Sequence, residues 1–167
     1  MKKFDVIDNF LPEEDWQWVH NTMLSDKNFG WTYGDYINYA HDQQQFFQFE
    51  HLFYDRFQIY SEYYQKIINM FCDRLSMRSI CRVKANLLTR TDKTEFHGWH
   101  VDRHPNDHDM IVGVYYVNTT NGKTLFEDGT EVDSIANRML IFPGNILHSS
   151  TSCTDEKVRV VINFNWF

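Results

Sequence analysis

Residues 157–167 read KVRVVINFNWF, and no other stretch constrains the fold as tightly. Successive side chains of a strand point to opposite faces. One face here carries Val158, Val160, Ile162, Phe164 and Trp166 and is wholly apolar. The other carries Arg159, Val161, Asn163 and Asn165. The apolar face must be covered by something. A core strand that also bears an arginine and two asparagines needs partners for them, because buried unpaired polar groups are costly. The polar face therefore either meets solvent or looks into an enclosed polar space such as a barrel interior.

The rest of the chain favours the barrel. Its 167 residues suit one domain, and 43% apolar content is enough for one sizeable core. Residues 3–10 alternate loosely and read as a short strand. Leu11-Pro12-Glu13-Glu14-Asp15 opens a helix, with proline in the first turn and acids on the positive end of the dipole. Trp16, Val19 and Met23 continue it at helical spacing. Phe53, Phe57, Tyr60, Tyr64, Ile67, Phe71 and Leu75 recur every three or four residues, which predicts one long amphipathic helix over 52–75. Residues 25–50, aromatic and Gln-rich, carry no clear pattern. After residue 78 short strands take over, at 80–90, 110–118, 123–127, 137–142 and 157–166. Asn121-Gly122 marks a hairpin between two of them. Helices followed by short strands predict an α+β fold, with helices (about 11–76) buttressing a β-sandwich or barrel (about 79–167).

The run HGWHVDRHPNDHD holds the candidate chemistry. Residues two apart on a strand share a side, so His100 and Asp102 can reach one ion. That pair alone decides nothing. His148, after the strand RMLIFP and its Pro143-Gly144 turn, is the candidate third ligand. Two histidines and a carboxylate on one face of a metal form the facial triad of non-haem Fe(II) oxygenases. Arg159, on the polar face of the last strand, suits a carboxylate. A cupin-like metal-binding protein without oxygenase activity, and a metal-free jelly roll in which His-x-Asp is coincidence, stay open at this point.

In order, His100-Val101-Asp102, Tyr115-Tyr116-Val117-Asn118, Arg138-Met139-Leu140-Ile141-Phe142, His148 and Arg159 resemble the 2-oxoglutarate/Fe(II)-dependent dioxygenases, closest to the prolyl-hydroxylase-like branch. The opening VIDNFLPEEDW is similar to the strand-to-helix entry of that family. The resemblance implies a double-stranded β-helix (jelly-roll) core. It implies Fe(II) held by His100, Asp102 and His148, and 2-oxoglutarate held at its distal carboxylate by Arg159. Tyr116 matches a tyrosine that can share that carboxylate, and Asn86 lies where related enzymes contact the cosubstrate. The implied activity is hydroxylation of an unactivated C–H with O2, on a prolyl residue of a peptide or protein or on a small molecule such as a free amino acid. Ascorbate would act as a stimulatory reductant. One departure stands out: the family's Gly-Gly in the hairpin is reduced to Gly122 in NGKTLFEDG.

A formal charge of −7, with no basic stripe, argues against a nucleic-acid partner. No apolar run approaches the roughly 20 residues of a membrane helix. Acids at Asp5 and Asp8 interrupt the start too early for a signal peptide. Cys72, Cys81 and Cys153 follow no metal or redox spacing, which suits a reducing cytoplasm. His104 and His108 read as loop residues. His97 and Trp99 are candidates for the entrance, and Trp31, Tyr33, Tyr36 and Tyr39 for a lid.

Overall fold

The computed structural model describes residues 4–38, 46–102 and 109–167. Along the chain run β1 (Asp5–Ile7), α1 (Glu13–Leu24), β2 (Thr32–Gly34), β3 (Gln48–Asp55), β4 (Gln58–Ile59), α2 (Tyr64–Leu75) and β5 (Ile80–Thr89). Then follow β6 (Ile111–Tyr116), β7 (Lys123–Phe126), β8 (Glu131–Asp133), β9 (Arg138–Pro143), β10 (His148–Ser150) and β11 (Val158–Trp166). They form two antiparallel sheets. The larger has eight strands in the order β1-β9-β6-β11-β5-β3-β2, with β4 paired to β3; the smaller is β10-β7-β8. This is the α+β double-stranded β-helix expected from the sequence.

β11 sits between β5 and β6, so both of its edges are paired. Its alternation is used as anticipated. Val160, Ile162, Phe164 and Trp166 are buried in the cluster that also holds Ile67, Phe71 and Leu75 of α2. The Phe71 ring lies 4.6 Å from Phe164 and 4.9 Å from Tyr115. Each such side chain contributes about 1.5–3 kcal/mol through removal from water. Arg159, Val161 and Asn163 face the opposite way, between the sheets. There a second cluster of Val112, Tyr116, Phe126, Leu140, Phe142 and Val161 fills one part of the interior.

α1 begins after Pro12 with Glu13, Glu14 and Asp15 in its first turn. The helix expected over 52–75 is half strand. Helix α2 spans only Tyr64–Leu75, opened by Ser61, whose hydroxyl accepts the Tyr63 N–H at 3.2 Å. Phe53 is buried from β3, while Phe57, at a left-handed φ of 74°, caps the β3–β4 turn and is 93% exposed. The spacing of three and four was coincidental before Ser61. There, pairing with β5 overrides it by burying Phe53 and satisfying a full ladder of backbone groups.

Candidate active site

Two histidines meet because two backbone segments do. His100 and His148 form an antiparallel bridge and exchange both backbone hydrogen bonds, N–H to C=O, at 2.9 and 3.0 Å. Residues directly opposite in such a pair carry neighbouring side chains, and the imidazole centroids are 4.3 Å apart. Phe142 packs edge-on against His148 at 4.7 Å.

Each ring is turned by a backbone carbonyl. His148 Nδ1 lies 3.0 Å from the Ile146 carbonyl and His100 Nδ1 lies 3.5 Å from that of Gly98. A carbonyl only accepts, so Nδ1 carries the hydrogen and the lone pair of a neutral ring is left on Nε2. Both Nε2 atoms face Asp102. Its Oδ1 is 3.6 Å from that of His100 and 4.0 Å from that of His148. The three donor atoms lie within 4.8 Å of one another. Asp102 is not on a strand, contrary to the reasoning that paired it with His100; it sits in the segment after the bridge. Asn165 on β11 donates to its Oδ2 at 3.4 Å, and Arg82 Nε on β5 donates to the Asn165 side-chain oxygen at 3.1 Å. Burial works to raise the Asp102 pKa, yet His148 when protonated, Arg82, His100 when protonated and the Asn165 hydrogen bond hold it below the ordinary value. A carboxylate kept ionised beside two imidazoles that offer Nε2 is a donor set that fits a first-row divalent metal.

The triad opens on a cavity of about 230 Å³ between the sheets. Arg159 and Asn86, both singled out from the sequence, line it. Arg159 is 2% exposed. Its Nε donates to Ser134 Oγ at 2.7 Å and a terminal nitrogen to Thr124 Oγ1 at 3.4 Å. Among the described residues no carboxylate pairs with it. Burial alone disfavours its charge, with partial relief from Tyr116 and Cys153. Tyr116 does not reach the cavity. Its ring lies under the guanidinium, 5.7 Å away, and its hydroxyl donates to Thr124 Oγ1 at 2.7 Å. Gly122 completes the seat, since a Cβ there would come within 2.6 Å of Arg159 Cδ. The single glycine left from the family's pair is thus the one the arginine requires.

Asn86 Oδ1 and Asn163 Oδ1, both belonging to residues that line the cavity, are buried with no hydrogen-bond partner among the described residues. Orphaned amides of this kind favour a polar occupant. Sequence reasoning missed Thr124, Ser134, Arg82 and the Asn165 contact to Asp102. Arg82-Val83-Lys84-Ala85-Asn86 did carry a signal, because its alternation puts three polar groups on one face of β5. The hydroxyls carried none. His97 is not part of the triad; it is buried, with Nδ1 2.9 Å from Ser150 Oγ. Trp99 packs against Phe96 at 5.2 Å. Tyr36 lines the cavity, whereas Tyr33 sits with Phe47 and Phe49. Tyr39, His104 and His108 lie outside the described residues.

Comparison with solved structures decides the fold family. A prolyl-4-hydroxylase from Pseudomonas putida superposes over 99% of this chain and 91% of its own, at 16% identity and a TM-score of 0.65. A Trichoplax adhaerens prolyl hydroxylase, solved with a hypoxia-inducible-factor peptide fragment, covers 99% and 84% at 13% identity and a TM-score of 0.70. A 2OG-Fe(II) oxygenase family protein from Burkholderia pseudomallei covers 98% and 85% at 10% identity and a TM-score of 0.69. The chain has the 2-oxoglutarate/Fe(II) oxygenase fold. The resemblance read from the residues is borne out at the level of the fold. No protein-family model and no curated protein matches the sequence. Within this oxygenase fold, the triad and Arg159 occupy the space between the two sheets.

Proposed function

We propose that this protein is a 2-oxoglutarate- and Fe(II)-dependent oxygenase that hydroxylates an unactivated C–H bond. One observation carries the reading. A fully buried arginine, unpaired by any described carboxylate, faces the same small cavity as a His-Asp-His donor set. A buried cation without a counter-ion is costly, and a dicarboxylate reaching from the triad to Arg159 removes that cost.

His100, Asp102 and His148 would hold the metal through Nε2, Oδ1 and Nε2. The bound metal's chemistry couples reduction of O2 to oxidative decarboxylation, so that R–H, 2-oxoglutarate and O2 give R–OH, succinate and CO2. Arg159 holds the distal carboxylate in charge-assisted hydrogen bonds. Ser134, Thr124 and, through Thr124, Tyr116 orient its guanidinium. Asn86 offers an amide to the same molecule. Leu88, Val114 and Val161 line the cavity with apolar surface that limits water. Asn165 and the Ile146 and Gly98 carbonyls keep the three ligands aimed at the metal, with Asp102 ionised and Nε2 of each histidine free to donate.

The substrate is a peptide residue or a small molecule, in keeping with the prolyl hydroxylase crystallised with its peptide. Among the described residues no helix is long and apolar enough to cross a membrane. Among the described residues no two cysteines form a disulfide, which suits a reducing compartment such as the cytoplasm.

An anaerobic titration tests the proposal. Fe(II) and then 2-oxoglutarate are added to the protein and to its Asp102→Ala variant. A weak visible charge-transfer band that requires both additions, and is absent from the variant, is the expected result. Metal binding without the band would point instead to a cupin-like metal protein. No metal binding at all would make His100-Val101-Asp102 a coincidence.

A further inference from the structure

The cavity holds a second arginine that the proposed metal and cosubstrate do not use. Arg82 on β5 lies across from Asn165, six residues along β11 from Arg159, or about 20 Å by strand rise. Both arginines line the cavity, and so do His100, Asp102 and His148. Asn165 touches Asp102, so the metal-binding carboxylate stands at the Arg82 end. The two guanidinium groups thus serve different ends of one space.

Their surroundings differ too. Among the described residues the Arg82 side chain makes one hydrogen bond, Nε to Asn165, which leaves its two terminal nitrogens for other use. Asp55, opposite it on β3, forms no ion pair with it among the described residues. Lys84, the neighbouring cation on the same face, is already neutralised by Glu50 at 2.6 Å. With a divalent ion, dianionic 2-oxoglutarate, Asp102 and Arg159 in place, the charges of the site cancel. Arg82 is then a leftover cation in a confined, partly apolar space, where a single charge is worth far more than in water.

Resting on the oxygenase reading above, we propose that Arg82 is the docking group for a carboxylate on the substrate. The substrate is an organic acid whose oxidised carbon lies within a few bonds of that carboxylate. An amino acid with a free carboxylate fits this description, as does an acidic side chain. An internal prolyl residue flanked by neutral residues does not. The fork of two terminal N–H pairs suits bidentate capture of a carboxylate and sets the orientation of the carbon skeleton.

The test uses a complex that cannot turn over. Protein labelled with 15N-arginine is loaded with Zn(II) and saturating 2-oxoglutarate, and the arginine Nε–Hε signals are followed by NMR during titration with acetate or with its neutral isostere acetamide. The Arg82 signal, assigned by its loss in Arg82→Gln, should move saturably with acetate. The preference for acetate over acetamide should be at least about tenfold, as expected for a charge-assisted pair. Arg82→Lys should retain acetate binding, read on the remaining signals, while Arg82→Gln loses it. Equal response to both probes, or no saturation by acetate, overturns the proposal. If Arg82 serves only to position Asn165, Arg82→Gln lowers Zn(II) affinity and leaves any acetate preference unchanged, which also overturns it. Near-ultraviolet circular dichroism confirms that the variants are folded. A peptide amide with one central aspartate separates the two sources. Binding equal to that of acetate assigns the carboxylate to a peptide side chain, and its exclusion assigns it to a small acid. Failure of wild-type protein to bind Zn(II) or 2-oxoglutarate sinks the oxygenase reading and this one with it. If both bind and acetate does not, only this inference falls.

Discussion

β11 shows two faces to two environments. Ile162, Phe164 and Trp166 press against α2 in a close-packed aromatic layer. Arg159 and Asn163, on the same backbone and in the same ladder, border a cavity that leaves Asn163 Oδ1 without a partner among the described residues. One face gains stability by filling space, and the other keeps space open and carries unsatisfied polarity. The fold can hold that cost because the rigid layer behind the strand sets where each polar group points. Function here is placed on the face that the packing face immobilises.

Substitutions on the two faces should therefore separate stability from binding. The largest effect on stability is expected from Phe164→Ala, at about 3–5 kcal/mol by urea denaturation, since it empties a site between Phe71 and the sheet. A loss below about 1 kcal/mol would mean that the packing face is softer than its burial implies. Asn163→Ala should leave the denaturation midpoint nearly unchanged, because it deletes an already unpartnered group.

Arg159→Ala should weaken 2-oxoglutarate binding by about 2–5 kcal/mol through loss of a buried charge partner, with metal affinity retained. Calorimetry on the Zn(II) form reads both quantities, and unchanged 2-oxoglutarate affinity would remove Arg159 from its assigned role. Gly122→Ala acts one step further out. Its new Cβ would press on Arg159 Cδ, so the arginine must shift, at about 1–3 kcal/mol. A rise in the 2-oxoglutarate requirement without loss of metal would show that the seat, not only the guanidinium, matters.

A further small effect belongs to neither face. Arg138 holds Asp8 at 2.6 Å across the β1–β9 edge, and this hydrogen bond keeps the Asp8 carboxyl below its ordinary pKa. A depressed pKa stabilises the fold above the unfolded value, near pH 4, and the gain is lost as pH falls through the folded value. Asp8 is half exposed. Asp8→Asn should therefore cost less than about 1 kcal/mol at neutral pH and flatten the acid limb of the stability curve.

The same contrast explains what could be read in advance. The alternation of β11 is a local pattern, so both of its faces were legible, Arg159 with them. His100, Asp102 and His148 followed from residue type and chain order. The carbonyls of Ile146 and Gly98, the hydroxyls of Ser134 and Thr124 and the Asn165 contact to Asp102 were not legible, because any residue has a carbonyl and serines are common. The aromatic series from Phe53 to Leu75 misled because its spacing holds on both sides of Ser61, while only the far side lacks a strand partner. The value of Gly122 appeared only once Arg159 had a position, since a close approach leaves no trace in composition.

β11 is synthesised after every other described strand, yet it lies between β5 and β6 in the middle of the large sheet. Until residues 158–166 have left the ribosome, β5 and β6 each have an open edge, and the apolar stripe of α2 lacks the surface it covers. The centre of the large sheet cannot be assembled in the order of translation. Nascent chains should therefore expose strand edges prone to aggregation until residues 158–166 are free.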